Sequence, residues 1–184
     1  MSRARSAAVA VALAGLLIGC SSGGPTAAPE LPERICWGGA FAGGDVSPFL
    51  PPGTRAEFSP QADRAFALDK ELDSAICTLY IDGKMDFQAS ATRWNFAESI
   101  DWTSRASDFP ERIDVGDKGI MWRGGVFSFF ACESAKNQKS PGKYIELRIS
   151  ADYAPGKYRL RAALPELMEK LMAFARSELR CPGK

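Results

Sequence analysis

The chain contains no histidine. That absence excludes Ser-His-Asp and Cys-His catalysis, His-ligated zinc or haem, and an imidazole proton shuttle, and much of enzyme chemistry goes with them. A strong excess of either charge is also missing. The 23 Lys and Arg residues face 22 Asp and Glu residues, so a formal charge of +1 supplies no general attraction to nucleic acid, and none is expected as a partner. No apolar run is long enough for a comfortable membrane span, and no internal repeat is evident. What is present suits one packed core: 46% of residues are hydrophobic and 24% charged, with 11 Phe, 4 Trp and 4 Tyr among 184 residues.

The amino terminus reads as an export signal. Arg3 and Arg5 precede the apolar run Ala7 to Ile18, which has the form of a secretory h-region. Twelve helical residues would rise about 18 Å against about 30 Å of hydrocarbon, so retention at a membrane needs another device. Leu17-Ile18-Gly19-Cys20 follows directly and resembles the lipobox of bacterial lipoproteins. The resemblance implies that diacylglycerol alkylates the Cys20 thiol and that the chain is cut before it, leaving Cys20 as the first mature residue. Two acyl chains, at about 0.8 kcal/mol per buried methylene, anchor durably where one is marginal. Cleavage after Ala28 and an uncleaved anchor are the alternatives. Ser21 rather than Asp follows the Cys, so the inner-membrane retention signal of Gram-negative lipoproteins is missing.

Three parts are therefore expected: a signal peptide at 1–19, a flexible lipid-tethered linker at 20–32, and a single extracytoplasmic domain at 33–184. Pro25, Pro29 and Pro32 break the small and polar linker. Arg3 and Arg5 leave with the signal, so the 23 basic groups fall by two against 22 acidic ones, and general attraction to anionic lipid is not expected.

Setting Cys20 aside, four of the five cysteines remain: Cys36, Cys77, Cys132 and Cys181. An even remainder in an exported chain points to two disulfides, while a metal site would want C-x-x-C pairs or histidine. Cys36 with Cys77 and Cys132 with Cys181 is the favoured pairing, because each bond would tie a terminal segment to a central strand. The other two pairings stay open.

Asp45 to Leu50 allows one helical turn before Pro51-Pro52-Gly53. Ala75–Tyr80 and Lys84–Trp94 flank Asp82-Gly83, a strong hairpin dipeptide. A three-residue loop pairing Tyr80 with Lys84 would place Ala75, Cys77 and Leu79 on a face with Met85, Phe87 and Ala89, with Gly83 left-handed. Ile113–Val115 and Gly119–Arg123 read as short strands. Val126–Cys132 is apolar on both faces and should be central and covered on each side, and Lys143–Ser150 alternates like a half-buried strand. Leu160, Leu164, Leu167, Leu171 and Phe174 recur at helical spacing, with Pro165 expected in the first turn and Pro182-Gly183 ending the helix after Cys181. The expected fold class is α+β: an antiparallel sheet of about five strands, covered on one face by a C-terminal amphipathic helix, with two disulfides.

Ile35-Cys36-Trp37-Gly38, Ile76-Cys77-Thr78-Leu79-Tyr80, Asp114-Val115-Gly116-Asp117-Lys118-Gly119, Phe130-Ala131-Cys132-Glu133 and the closing helix with Cys181 follow the lipobox and its linker. Together they resemble the small uncharacterised lipoproteins of actinomycetes, a domain-of-unknown-function group. The resemblance implies a sheet meander between an N-terminal Cys-containing segment and a closing helix. It carries no catalytic residues to this chain.

Motifs for chemistry are thin, and no catalytic residue, cofactor or metal is expected. Pro-Gly-Lys at 141–143, 155–157 and 182–184 reads as turns rather than phosphate loops. Ser140 to Lys143 matches S-x-x-K, but Pro-Gly between them prevents the helix that the motif requires. Glu98, Asp101, Asp108, Glu111, Asp114 and Asp117 give residues 98–117 a local excess of acid, the material for a carboxylate-paired hydrolase. Calcium at Asp114–Asp117 lacks the alternating acidic ligands of an EF-hand loop. Lys136, Lys139, Lys143, Arg148, Lys157, Arg159 and Arg161 make 134–161 basic, and the two segments on opposite ends would polarise the domain toward an anionic envelope polymer or a partner. Trp37, Trp94, Trp102 and Trp122 are core filling or the lining of a cleft. The expected role is a non-catalytic binding or accessory module on the extracytoplasmic face of the cell membrane, held by lipid through Cys20 and contacting an envelope polymer or membrane protein. The alternatives are a small envelope hydrolase and a structural subunit docking on a membrane complex.

Overall fold

A computed structural model describes residues 26–68, 72–97, 101–102, 109–132, 144–151 and 157–181, the last from 162 onward for side chains. Seven strands form one antiparallel sheet: β3 (Ala56–Phe58), β4 (Ser74–Ile81), β5 (Lys84–Trp94), β6 (Glu111–Ile113), β7 (Lys118–Trp122), β8 (Gly125–Ala131) and β9 (Tyr144–Ala151). Their spatial order is β3-β4-β5-β9-β8-β7-β6. Two short strands, β1 (Arg34–Ile35) and β2 (Phe41–Ala42), pair separately ahead of α1 (Gly43–Val46). A 3-10 turn at Ser47–Phe49 follows before Pro51, where one helical turn is expected from the sequence. The closing helix α2 spans Lys157–Glu178. The architecture is the expected α+β class with seven strands rather than about five. The edge strand β3 has three residues and no alternation of its own, so its place is fixed by pairing with β4.

One sheet face carries the main core. Cys77, Leu79, Phe87, Ala89, Val126, Phe130, Ile145, Leu147 and Ile149 meet Leu164, Leu167, Met168, Leu171 and Ala175 of α2 there, together with Ile35, Phe41, Val46 and Phe49 from the N-terminal segment. Trp37 is part of this core, edge-on to Phe66 at 5.1 Å and stacked 6.3 Å from Phe174. Ser128 is buried on the same face, its hydroxyl donating to Val115 O at 2.7 Å, so the one hydroxyl in this part of the face is satisfied. Ala28 and Leu31 also pack on the core, so the chain joins the fold before Glu33.

The β4–β5 hairpin differs from the expected turn while keeping the expected face. Ile81 pairs with Lys84 around a two-residue Asp82-Gly83 loop, both residues left-handed at φ +49° and +81°. A bulge between Leu79 and Tyr80 then shifts the register, so that Leu79 pairs with Phe87 and Cys77 with Ala89. One irregularity restores the parity that the core needs. Met85 pairs with Tyr80 and is exposed, not inward.

The helix begins at Lys157, which puts Pro165 inside it rather than in its first turn. Lys157–Leu164 is rich in helix formers, and Pro165 leaves the carbonyl of residue 161 without its usual amide donor. The helix ends at Glu178, ahead of Pro182. Arg180 is left-handed at φ +52°, Arg180 N–H donates to Ser177 O at 3.2 Å, and Cys181 N–H donates to Arg176 O at 2.9 Å. This is a Schellman closure with Arg in the position glycine usually takes. It aims Cys181 at Cys132. The two disulfides, Cys36–Cys77 and Cys132–Cys181, span 41 and 49 residues and tie the N-terminal segment to β4 and the helix end to the end of β8.

Candidate functional site

The other face of the sheet is where an unusual set of side chains gathers. Strand pairing puts Phe127 beside Arg148 and Ile120, Phe129 beside Glu146 and Lys118, and Trp94 beside Tyr144. The 95–110 connection leaves β5 at one end of the sheet and returns to β6 at the other. Trp102, midway along it, lies 4.5 Å from Phe127 and 5.6 Å from Phe129, ring centre to ring centre. Ile120, Trp122 and Phe127 are buried here, with Trp94, Trp102, Phe129 and Tyr144 half-buried around them. This small second core is separated from the first by the sheet, as the two-faced apolar pattern of β8 requires.

Two opposite charges sit within it. Glu146 Oε2 accepts the Trp94 indole N–H at 2.6 Å, and Glu146 Oε1 lies 3.8 Å from an Arg148 guanidinium nitrogen. The Arg148 guanidinium stands 5.4 Å from the centre of the Phe127 ring, and its Nε is buried with no hydrogen-bond partner. Burial pushes the Glu146 carboxyl above its ordinary value; the Trp94 hydrogen bond and the Arg148 charge oppose this and the charge of Asp101 adds to it. Lys118 Nζ lies over the Trp102 ring, 4.0 Å from the indole centre. The arrangement offers a ligand a half-buried carboxylate and guanidinium set among aromatic rings.

Sequence reasoning singled out Trp94, Trp102 and Trp122, and the structure brings all three to this cluster. It did not single out Glu146. The signal was there in Tyr144-Ile145-Glu146-Leu147-Arg148, whose alternation puts Tyr144, Glu146 and Arg148 on one face. That this face is covered in part follows only from the placement of Trp102 against Phe127 and Phe129.

The acidic candidates among the described residues do not converge. Asp114 and Asp117 bracket the β6–β7 turn, where Asp117 Oδ2 accepts the Ala131 amide at 2.7 Å, while Glu111 starts β6 at the other end of the sheet. Asp101 acts on Glu146 through its charge. Glu98 and Asp108 lie outside the described residues, as do Lys136, Lys139, Lys143 and Ser140. The expected basic segment 134–161 falls largely outside the described residues, with the side chains of Lys157, Arg159 and Arg161 among those not described.

Among the described residues there is no group of acids and cysteines able to hold a metal ion, and no helix long and apolar enough to cross a membrane. A cavity of about 210 Å³ lies between α1 and α2, with Lys170 and Asp45 paired at 2.7 Å on its wall. Another of about 150 Å³ is lined by Arg34, Cys36, Phe58 and Asp63. Phe96 and Phe109, near the two ends of the 95–110 connection, are 65% and 86% exposed. No family model, curated protein or solved structure matches the chain.

Proposed function

We propose that this chain is a lipid-anchored extracytoplasmic module, a non-catalytic binding or accessory component of the cell envelope of the kind the actinomycete lipoproteins suggest. The observation that carries the reading is the fate of the cysteines. Cys36, Cys77, Cys132 and Cys181 are consumed in two disulfides, which suits an oxidising compartment. Cys20, the odd one, stands after an h-region in a lipobox-like setting. The face around Trp94, Glu146 and Arg148 is the surface on which this reading places ligand contact, since it couples apolar rings to a polar pair capable of orienting a bound group.

The test is fractionation of cells fed a labelled fatty acid. The wild-type chain is expected in the membrane fraction carrying label, and Cys20→Ser in neither place. An unlabelled wild-type chain removes the anchor from the account.

One observation favours the hydrolase as a second reading. Glu146 is a carboxyl held toward its protonated form with the charge of Asp101 acting on it, an arrangement that paired-carboxylate hydrolysis uses. Turnover of envelope glycan by the purified chain, lost in Glu146→Gln, would replace the binding reading with this one.

A further inference from the structure

We infer that the face of β4, β5 and β9 turned away from α2 binds an uncharged, hydroxyl-rich glycan and holds it against the Trp94 and Trp102 rings. The inference rests on the binding reading given above and adds to it the chemical class of the ligand. Its first ground is the make-up of that face. Strand pairing sets Thr92 beside Glu146, Ser90 beside Arg148 and Gln88 beside Ser150. On β4, Ser74, Ile76 and Thr78 extend these rows, and Gln88 Nε2 donates to Thr78 Oγ1 at 3.1 Å. Toward β8, Phe129 follows Glu146 and Phe127 follows Arg148. Among the described residues, α2 and the N-terminal segment pack on the opposite face, while Thr92, Ser90, Gln88 and Ser150 keep partial exposure here. A polar floor thus runs up to an aromatic border.

The second ground is charge. From Ser74 to Tyr80, Gln88 to Trp94 and Tyr144 to Ser150, the positions on this face carry two charges only, Glu146 and Arg148, and they are opposite. A charged polymer finds no net counter-charge on this floor. Hydroxyl and amide side chains, which both donate and accept, make up most of the rest, and a run of sugar hydroxyls matches that inventory. The Arg148 and Glu146 side chains are 31% and 12% exposed, and their 3.8 Å contact is longer than a hydrogen bond, so the guanidinium fork has donors to offer a pair of ligand oxygens. Aromatic rings border the floor on two sides. Trp102 stands against Phe127 and Phe129 of β8, and Trp94 lies beside Tyr144 at the end of β5, each half-buried with apolar area for the C–H faces of sugar rings. A peptide cannot add here as a strand, because β4, β5 and β9 each lie between two neighbours.

The test uses the full chain extracted from membranes in detergent, with the envelope polysaccharide of the cells that make it. The polysaccharide is freed of protein and lipid and divided by anion exchange into neutral and anionic fractions. Wild type should bind the neutral fraction and leave it intact, read by retention on the immobilised polymer and by quenching of tryptophan emission. Arg148→Lys keeps the charge and loses the planar fork, so binding should fall about tenfold with the melting temperature unchanged. Ser90→Tyr puts a ring on the floor beside Arg148, away from the main core, and should weaken binding at least as much. Binding to the anionic fraction alone, or to neither, overturns the glycan class and leaves the lipid anchor standing. Equal binding of the neutral fraction by wild type and both variants removes the ligand from this face and overturns the inference. Cleavage of a bound neutral polymer supports the ligand class and overturns the non-catalytic reading instead.

Discussion

The Trp94 indole N–H donates to Glu146 Oε2 across the β5–β9 pair at 2.6 Å, joining the last residue of one strand to a half-buried carboxylate of the next. Neither group is hidden in the main core. Both belong to the second, smaller cluster around Phe127 and Trp102, where a charged group is costly unless it is paired. The indole and Arg148 together make Glu146 tolerable there, and they leave it more easily protonated than a glutamate in water.

A pH dependence follows. Burial holds the folded carboxyl above the ordinary glutamate value of 4.5, so the fold favours the protonated form. That contribution is fully present below the unfolded value and is lost as pH rises through the folded one. Relative to wild type, Glu146→Gln should therefore gain stability as the pH is raised through and above the ordinary glutamate value of 4.5, and show no further change below it. Urea unfolding at a series of pH values measures it. Trp94→Phe removes a hydrogen bond to the ionised form and should move the Glu146 titration further upward, visible in its side-chain carboxyl NMR signal.

The two disulfides act on different parts of the molecule. In the loop-entropy picture, closing loops of this length restricts the unfolded chain by about 4 kcal/mol for each bond. Cys132→Ala with Cys181→Ala should lower the melting temperature and increase exchange in the last turns of α2 first, because the bond fastens that end to β8. Cys36→Ala with Cys77→Ala should loosen the segment carrying Ile35, Trp37 and Phe41 instead. Exchange mapped by mass spectrometry distinguishes the two patterns, and strong reductant should produce both.

Three left-handed positions should answer differently to substitution. A Cβ on Gly116 at φ +76° would run into Phe129 O, Ser128 Oγ and Met172 Cε, whereas one on Gly83 at φ +81° meets nothing. Gly83→Ala is expected to cost about 1 kcal/mol from backbone strain alone, and Gly116→Ala about 3 kcal/mol or more. Arg180 is already a non-glycine residue in that conformation at the helix end. Arg180→Gly should therefore stabilise, by about 0.5–1 kcal/mol. Chemical denaturation of the three variants gives the ranking.

Much of the fold is legible in the residues because most elements announce themselves by period. Tyr144 to Ala151 alternates, α2 repeats its leucines at three and four, and Val126 to Phe130 is apolar on both faces apart from Ser128; each lies where those patterns put it. The cysteine pairing is readable for a related reason, since each bond joins a chain terminus to a strand. What escaped was set by tertiary pairing rather than local pattern. β3 exists because β4 has a free edge, and the bulge at Leu79–Tyr80 exists because a two-residue turn alone would have turned Cys77 and Leu79 outward. Pro165 suggests a helix start from sequence, but the eight residues before it are helical as well. The Glu146 cluster was half legible: its tryptophans stood out, whereas its carboxylate needed the register of β9 against β5.

Whether Cys20 carries lipid is decided by intact-mass analysis of the membrane-extracted chain. The predicted product begins at Cys20, carries a thioether-linked diacylglycerol on its sulfur, and has the four other cysteines resistant to alkylation until reduced. A product that retains residues 1–19 with a Cys20 thiol open to alkylation and four reduced cysteines behind it would contradict the anchor and the compartment together.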